Sequence, residues 1–368
     1  MNRKEILLIF KGDIFDLPPM LAIIDSLKKK YNVKVISHLY EGNIESLNAI
    51  YQGYSVSFIS RFPLQKSRQI RVRLLNRIKR ICFHYYICAL FKKLKYDVLW
   101  VVHEDTIIKF NKMFRGKRYI TSLYELNDTL PQKLKAIKPY VQDARQVVVP
   151  EYNRANILRT WLKLSKTPNV LPNKPIGHPR RRNLNNPYSN LINGKKVILY
   201  QGLVIEERKI DAYCEAVRDM QDILLVVMGN GCGDEIYKKY LKETYPYVLF
   251  IDFINPPRHL EVTSCASIGI VTYDYSMLNT IYCAPNKIWE YTGFGIPMIA
   301  NEIPGLKYPI EKYNAGICTN TEDKECIKEA IEKIMTDYDM YAKGALAMYD
   351  SVDVDNIIQD VVEKFLDE

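Results

Sequence analysis

The stretch CAPNKIWEYTGFGIPMIANEIPG, residues 283–305, sets an acid, Glu290, three positions after Lys287 and between a Pro-Asn-Lys corner and a Gly-Phe-Gly corner. A spacing of three places Lys287 and Glu290 on one helical face. Pro285 suits a first helical turn, because its missing N–H would have had no intrahelical partner. At such a corner the helix N-terminus and its backbone N–H groups face an anion, and Asn286 adds an amide and Lys287 a positive charge. That set would cradle a diphosphate, and Glu290 could accept hydrogen bonds from a ribose diol. Two further corners follow apolar runs: LYQGLVIEERKID, with Gly202 and then Arg208 and Lys209, and VVMGNGCGDE, with Gly229, Gly231 and Gly233. Any sharp turn after a strand also asks for glycine, and Lys287 with Glu290 alone would be a surface ion pair of little energy. Three such corners in one half of the chain, with Arg208, Lys209 and Lys287 beside them, point to an anionic ligand.

The first half offers sparser candidates. Gly12 and Asp13 open a loop after the run EILLIF, while His103-Glu104 and Tyr124-Glu125 each follow another apolar run. Glu104 or Glu125, within reach of a hydroxyl, could take its proton. A helix cap or a supporting contact is the plainer reading of each taken alone.

What must position these residues is an alternation of short apolar or β-branched runs with longer segments of helical period. EILLIF, VKVIS, SVSFIS, YDVLWVV, RYITSLY and QVVVP recur in the first half, and KVILYQG, ILLVVMG, VLFIDF, SIGIVTY, PMIANE and AGICTN in the second. Such an order predicts an α/β protein with parallel sheets covered on both faces. From Pro168 to about Lys195 the texture turns to prolines, asparagines and a basic cluster, which reads as a boundary. The expected layout is a first domain over 1–172, a linker over 173–195, a second domain over 196–350 and a C-terminal segment over 351–368. In that last segment Ile357, Val361 and Phe365 recur every four residues, a stripe able to pack back on the first domain. Two similar halves imply a cleft, with ligands outside the carboxyl ends of the strands.

The net charge of +10 is unevenly spread: residues 1–200 hold 37 Lys and Arg against 13 Asp and Glu, and the remainder holds 15 against 29. The basic half should favour an anionic partner. Residues 61–96 carry eleven Lys and Arg and no acid. Leu74, Ile78, Ile81 and Tyr85 form one helical stripe there, and Arg73, Arg77, Arg80 and His84 a neighbouring one. Two readings stand: a solvated helix whose apolar side packs on its own domain, or a helix resting on an anionic bilayer. No nucleic-acid-binding motif accompanies the charge, so no nucleic acid is expected. Hydrophobic content of 48% and charged content of 26% place the chain among ordinary globular proteins. No uncharged run reaches membrane-spanning length, and the apolar run near the start is too short for a signal peptide. Eight scattered cysteines with no C-x-x-C pair argue against zinc and for a cytoplasmic setting.

The second half, over roughly residues 196–340, resembles the donor-binding domain of GT-B glycosyltransferases, nearest to the large retaining family 4. YQGLVIEERKID matches that family's strand ending in glycine followed by a basic residue and a helix, and EYTGFGIPMIA its glutamate, small residues, G-x-P and strand. The first half resembles it through its fold pattern and the FKGDIFDLPP loop. The resemblance implies two Rossmann-like doubly wound domains facing a central cleft. It also implies transfer of a sugar from a nucleoside-diphosphate sugar to a glycan or lipid-linked acceptor, with retention and without a metal or other cofactor. Arg208 takes the place of the family's lysine on the donor diphosphate, with Lys209 as a substitute. Backbone at Asn286 and Lys287 would approach the phosphates. Glu290 matches the second glutamate of the family's E-x7-E motif, which binds the donor ribose. The first glutamate is replaced by Tyr282, the arginine often found after the first glycine by Leu203, and a frequent functional histidine by Tyr124. The Pro285-Asn286-Lys287 corner is a variant of some bacterial surface-polysaccharide transferases. A nucleotide-sugar epimerase, or a non-catalytic relative that binds a partner, is the rival reading.

Overall fold

Val, Ile, Leu and aromatic side chains fill the twelve apolar runs, and in the computed structural model each run holds a strand. The structure describes residues 3–67, 69–192, 194–231 and 235–368; Gly233 lies outside them. The chain divides into two units, residues 1–172 with 354–368 and residues 173–353.

In the first unit β1 (Glu5–Phe10), β2 (Asn32–Ser37), β3 (Val56–Ile59), β4 (Val98–Val102), β5 (Ile120–Ser122), β6 (Gln146–Val149) and β7 (Asn169–Val170) lie in the order β3-β2-β1-β4-β5-β6-β7, all parallel. Ile6 to Ile9 of β1 and all five residues of β4 are buried. Continuous burial, rather than alternation, is what a sheet covered on both faces imposes. β7 is an edge strand inside the proline-rich stretch, where the sequence pattern suggests only loop; Asn169 Nδ2 ties it to Gln146 Oε1 at 2.9 Å.

The second unit repeats the plan. β8 (Lys196–Gln201), β9 (Ile223–Met228), β10 (Leu249–Ile251), β11 (Ile268–Val271), β12 (Met298–Asn301) and β13 (Gly316–Thr319) are ordered β10-β9-β8-β11-β12-β13, again all parallel. In both sheets the strand order reverses next to the first strand, between β1 and β4 and between β8 and β11. Such switch points open a crevice at the carboxyl ends of the strands.

Two expectations change. Residues 173–195 are not a free linker but part of the second unit. Lys174 Nζ donates to the Tyr349 and Val352 carbonyls at 2.6 and 2.5 Å, Arg180 pairs with Asp350 at 2.6 Å, and Arg182 Nε reaches Ser264 O at 2.9 Å. Lys174, Arg180 and Arg182 thus bond carbonyls and an acid within their own unit, while Arg181 is exposed. The C-terminal segment divides between residues 353 and 354, and its helix, Val354–Asp367, buries Ile358, Val361, Val362 and Phe365. The seam is centred one residue beyond Ile357. It stands among first-unit groups: Ser26 Oγ donates to Asp355 Oδ1 at 2.6 Å, and Arg118 Nη2 to Phe365 O at 2.7 Å. Each fully buried apolar side chain there adds about 1.5–3 kcal/mol.

The basic stretch forms the helix Ile70–Phe91, held by a narrow seam of Asn76, Phe83, Ile87 and Phe91. Phe83 stacks on His38, with ring centroids 4.2 Å apart, and Asn76 Nδ2 and Oδ1 both bond the Gln65 backbone. The stripe of Leu74, Ile78, Ile81 and Tyr85 is exposed, Tyr85 at 70% and Leu74 at 57%. His84 turns inward and stacks on Phe110.

Candidate active site

β8 ends in Tyr200-Gln201, and the chain turns through Gly202 in a left-handed conformation, φ +136°. Any side chain there would meet Lys287, since a Cβ would stand 3.0 Å from its Nζ. Gly229 ends β9 with φ +145°, and its Cβ would run into the Gly202 carbonyl oxygen. The two glycines thus let the ends of β8 and β9 close on each other, and Gly202 also leaves the space that the Lys287 ammonium fills. Lys238, buried to 2%, locks the same corner: its Nζ donates to Gly229 O at 2.6 Å and pairs with Asp252 at 2.7 Å.

After Gly202 the chain forms a short 3-10 turn, Glu206–Arg208, that aims Arg208 back over the corner. The guanidinium lies 3.9 Å above the Tyr273 ring, just beyond β11. Lys287 Nζ sits 4.6 Å from the Tyr200 ring centroid and 5.9 Å from that of Tyr273. Two cations therefore share one aromatic-lined spot at the β8/β11 switch point. Among the described residues neither makes an ion pair, and Arg208 Nη1 is buried with no hydrogen-bond partner. Burial first, then the Arg208 charge, pushes the Lys287 ammonium down to about 7, against the opposing pull of Glu290.

Glu290 stands one turn further along the helix Lys287–Gly293. Its Oε2 accepts from Gln201 Nε2, and its Oε1 lies 3.1 Å from His259 Nε2. Burial raises its pKa, but His259 and then Lys287 outweigh that, so the carboxyl ends below its ordinary value. Thr263 Oγ1 donates to Gln201 Oε1 at 2.8 Å and favours this orientation of the amide. His178 Nε2 contacts Glu290 O at 3.0 Å. This helix has seven residues, two turns, so the positive field comes from the Arg208 and Lys287 side chains more than from aligned peptide dipoles. Asn286 is its N-cap and makes no side-chain cap bond.

The corner brings Gly202, Gly229, Arg208, Asn286, Lys287 and Glu290 into one neighbourhood. Lys209 goes elsewhere: in a left-handed conformation, φ 48°, it lines a cavity of ≈ 630 Å³ with Glu206, Asp211, Tyr237 and Tyr240. Leu203 is 53% exposed. Gln201, Thr263, His259 and Tyr273 are site residues that spacing alone does not reveal; Gln201 alone carried a signal, as the polar residue ending an apolar strand just before glycine.

At the β1/β4 switch point the polar groups are turned inward. Asp13, 2% exposed, accepts from Phe15 N at 3.0 Å, Tyr40 N at 2.7 Å and Asn43 Nδ2 at 2.7 Å. Gly12 O accepts from Ser37 Oγ at 2.6 Å. Glu104, at 0% exposure, accepts the Tyr124 and Glu125 amides on Oε1 at 2.7 and 2.8 Å. Its Oε2 faces His103 Nδ1 at 3.4 Å, and burial holds this carboxyl above its ordinary range. His103 Nδ1 accepts Asp105 N at 3.2 Å, which leaves the ring proton on Nε2. The His103 ring stacks on buried Tyr124. Glu125 is half exposed and lies 3.9 Å from Arg154 Nη1. A solvent-inaccessible Glu104 engaged by two amides holds a loop rather than meeting an acceptor, and Asp13 likewise.

Residues 195–337 match the family model described as glycosyl transferases group 1. No curated protein sequence matches the chain. Among solved structures, Anabaena HepE in complex with UDP and glucose superposes with a TM-score of 0.72 at 13% identity, over 98% of this chain and 98% of that one. A glycosyltransferase from Rickettsia africae gives 0.69 at 14% identity over 99% and 98%. A sucrose-phosphate synthase from Thermosynechococcus elongatus gives 0.64 at 14% over 99% and 96%. The fold is GT-B. In this GT-B chain the group 1 match takes in β8 to β13, and with them all the residues gathered at the Gly202 corner.

Proposed function

We propose that the chain is a glycosyltransferase that moves a sugar, a hexose in the simplest case, from a nucleoside-diphosphate sugar to an acceptor hydroxyl with retention of configuration. The observation that carries this is the pair of cations Arg208 and Lys287 over Gly202, neither of which makes an ion pair among the described residues, with the Glu290 carboxylate one turn away. Partly buried charges are costly without partners, and a diphosphate supplies what both lack. In the reaction the bond from the anomeric carbon to the phosphate oxygen breaks and its electrons pass to the diphosphate. The acceptor oxygen bonds that carbon on the same face and gives its proton to the departing phosphate. Arg208 and Lys287 stabilise the charge as it develops, which requires no metal. Asn286 and Lys287 backbone approach the phosphates and Glu290 holds the ribose, while Gly12, His103 and Glu125 border the acceptor in the first unit.

The acceptor is assigned as a lipid-linked or polysaccharide glycan. The exposed stripe Leu74, Ile78, Ile81 and Tyr85, flanked by exposed Arg73, Arg77 and Arg80, suits an anionic bilayer, at about 1 kcal/mol per basic residue near the surface. Among the described residues no helix is long and apolar enough to cross a membrane. Flotation with neutral and with anionic liposomes tests this surface: recovery should require the anionic lipid, and equal recovery with both would refute electrostatic docking.

The donor reading is tested by thermal shift with UDP, GDP, ADP, CMP and dTDP, with and without magnesium. A ligand at 100 times its dissociation constant stabilises by about 2.7 kcal/mol. One diphosphate should stand out, with magnesium making no difference; a flat panel, repeated with intact nucleotide sugars, would sink the assignment.

A further inference from the structure

We infer that His259 and Gln201 are positioning residues that turn Glu290 into a reader of a vicinal cis-diol, so that the site selects ribonucleotides over 2′-deoxyribonucleotides. The inference rests on the donor reading above and goes beyond it in naming what sets sugar discrimination. A carboxylate has about four lone-pair sites and, left alone, rotates freely about its last bond. Glu290 is not left alone. Gln201 occupies one site on Oε2 and His259 Nε2 approaches one on Oε1 at 3.1 Å. With one contact on each oxygen, a carboxylate of about four acceptor sites keeps capacity on both Oε1 and Oε2. Two adjacent hydroxyls can engage both oxygens; a single hydroxyl engages one.

The clamp is itself oriented. Thr263 Oγ1, whose single proton is shared between Gln201 Oε1 at 2.8 Å and His259 O at 3.1 Å, favours the amide orientation that turns its N–H toward Glu290. The His259 tautomer follows from its other nitrogen: among the described residues Nδ1 is buried with no hydrogen-bond partner. A proton there would be buried without an acceptor, a cost that a bare lone pair does not carry to the same degree. The proton therefore sits on Nε2, facing Glu290. Thr263 is fully buried and sits one turn after His259 on the helix His259–Thr263, so one short element supplies His259 and the hydroxyl that contacts Gln201, while Gln201 itself comes from the end of β8.

The test is calorimetric titration of the full chain with the ribo and 2′-deoxy forms of UDP, GDP and ADP. For whichever base binds, the wild type should prefer the ribo form by about tenfold or more, the scale of one hydrogen bond to a charged group. His259→Ala should weaken the ribo form and leave the deoxy form nearly unchanged, so that the ratio collapses toward one; His259→Gln, which can present an N–H at the same reach, should restore it. Thr263→Val gives a second, near-isosteric variant and should lower the ratio by freeing the Gln201 amide. A folded His259→Ala chain that keeps the wild-type ratio overturns the clamp while leaving the donor reading intact. A wild type that binds none of the nucleotides, or binds both forms equally, overturns the inference together with the ribose assignment of Glu290.

Discussion

The two switch points share a topology and differ in how their charges are settled. At β1/β4, Lys11 and Lys133 both pair with Asp105, at 2.9 and 2.8 Å, while Asp13 and Glu104 spend their acceptors on backbone amides and a side-chain amide. At β8/β11, Arg208 and Lys287 crowd one spot over Gly202, and among the described residues no acid pairs with either. In the first arrangement Lys11, Lys133 and Asp105 neutralise one another and Asp13 is fully engaged; of these groups, among the described residues, Glu104 Oε2 alone stays without a hydrogen-bond partner, in a carboxyl that burial holds above its ordinary range. The second keeps two like charges side by side, a cost that the Glu290 carboxylate one turn away offsets only in part, since Lys287 is still pushed down to about 7. Topology locates a crevice in each unit, and the difference between them is that the cations of the first are paired with an acid while those of the second, among the described residues, are not.

The largest expected effect comes from emptying the second crevice. Arg208→Ala with Lys287→Met should weaken the preferred nucleoside diphosphate by about a hundredfold or more, because each charged hydrogen bond is worth about 1.5–3 kcal/mol. The ligand-free double variant should melt no lower than the wild type, since a repulsion has been removed. Lys11→Met at the first crevice should leave the nucleotide affinity unchanged. Equal losses in both variants, read by calorimetry, would erase the distinction.

Glu104 sharpens the other side. Glu104→Ala strands the Tyr124 and Glu125 amides and should cost on the order of 2–3 kcal/mol in urea unfolding. Glu104→Gln keeps an acceptor for both amides, and its NH2 can face His103 Nδ1, so the fold and turnover should survive. Burial raises this carboxyl, so the neutral amide resembles the form the fold already favours. Loss of turnover in a stable Glu104→Gln chain would return Glu104 to the chemistry.

Lys287 gives a smaller, pH-dependent effect. Its ammonium is pushed down to about 7, and a bound diphosphate pulls it up again. Above pH 7 binding must therefore take up a proton, and affinity should fall by up to about tenfold per pH unit. Lys287→Arg should flatten that slope, since a guanidinium stays charged. In the ligand-free chain the sign reverses. From about pH 7 to about 10 the unfolded state binds more protons, so this group makes stability rise with pH. Constant wild-type affinity across that range would remove Lys287 from the phosphate site.

The strands and the glycine corners were legible because they are local. β8 is a run of apolar residues ending in Gln201-Gly202, and Lys287 and Glu290 share a helical face by spacing alone. The clamp was not legible. Gln201, His259 and Glu290 are separated by tens of residues, and only the β8/β11 crossover brings them together. Residues 173–195 read as a linker because prolines and arginines carry no period; their partners Tyr349, Asp350 and Ser264 lie far along the chain. In the helix Ile70–Phe91 the period gave an apolar stripe but not which way it faces. Phe83, Ile87 and Phe91 took the inner side, and Leu74, Ile78, Ile81 and Tyr85 were left outside.

The smallest expected effect tests whether the first crevice is settled as its geometry implies. Asp105 is raised by burial, yet hydrogen bonds from Lys133 and Lys11 overcome this and hold it at about 2, below the ordinary 3.8. A depressed carboxyl contributes stability that is complete above the unfolded value and lost as pH falls from about 4 through about 2. Asp105→Asn should therefore be less stable than the wild type at neutral pH, by a modest amount because the pair is partly solvated. The gap should close as both chains are taken toward pH 2. Urea midpoints along that series read the difference directly. A gap that stays constant into acid would mean that the Asp105 charge is not what neutralises Lys11 and Lys133, and the contrast between the two crevices would lose its first term.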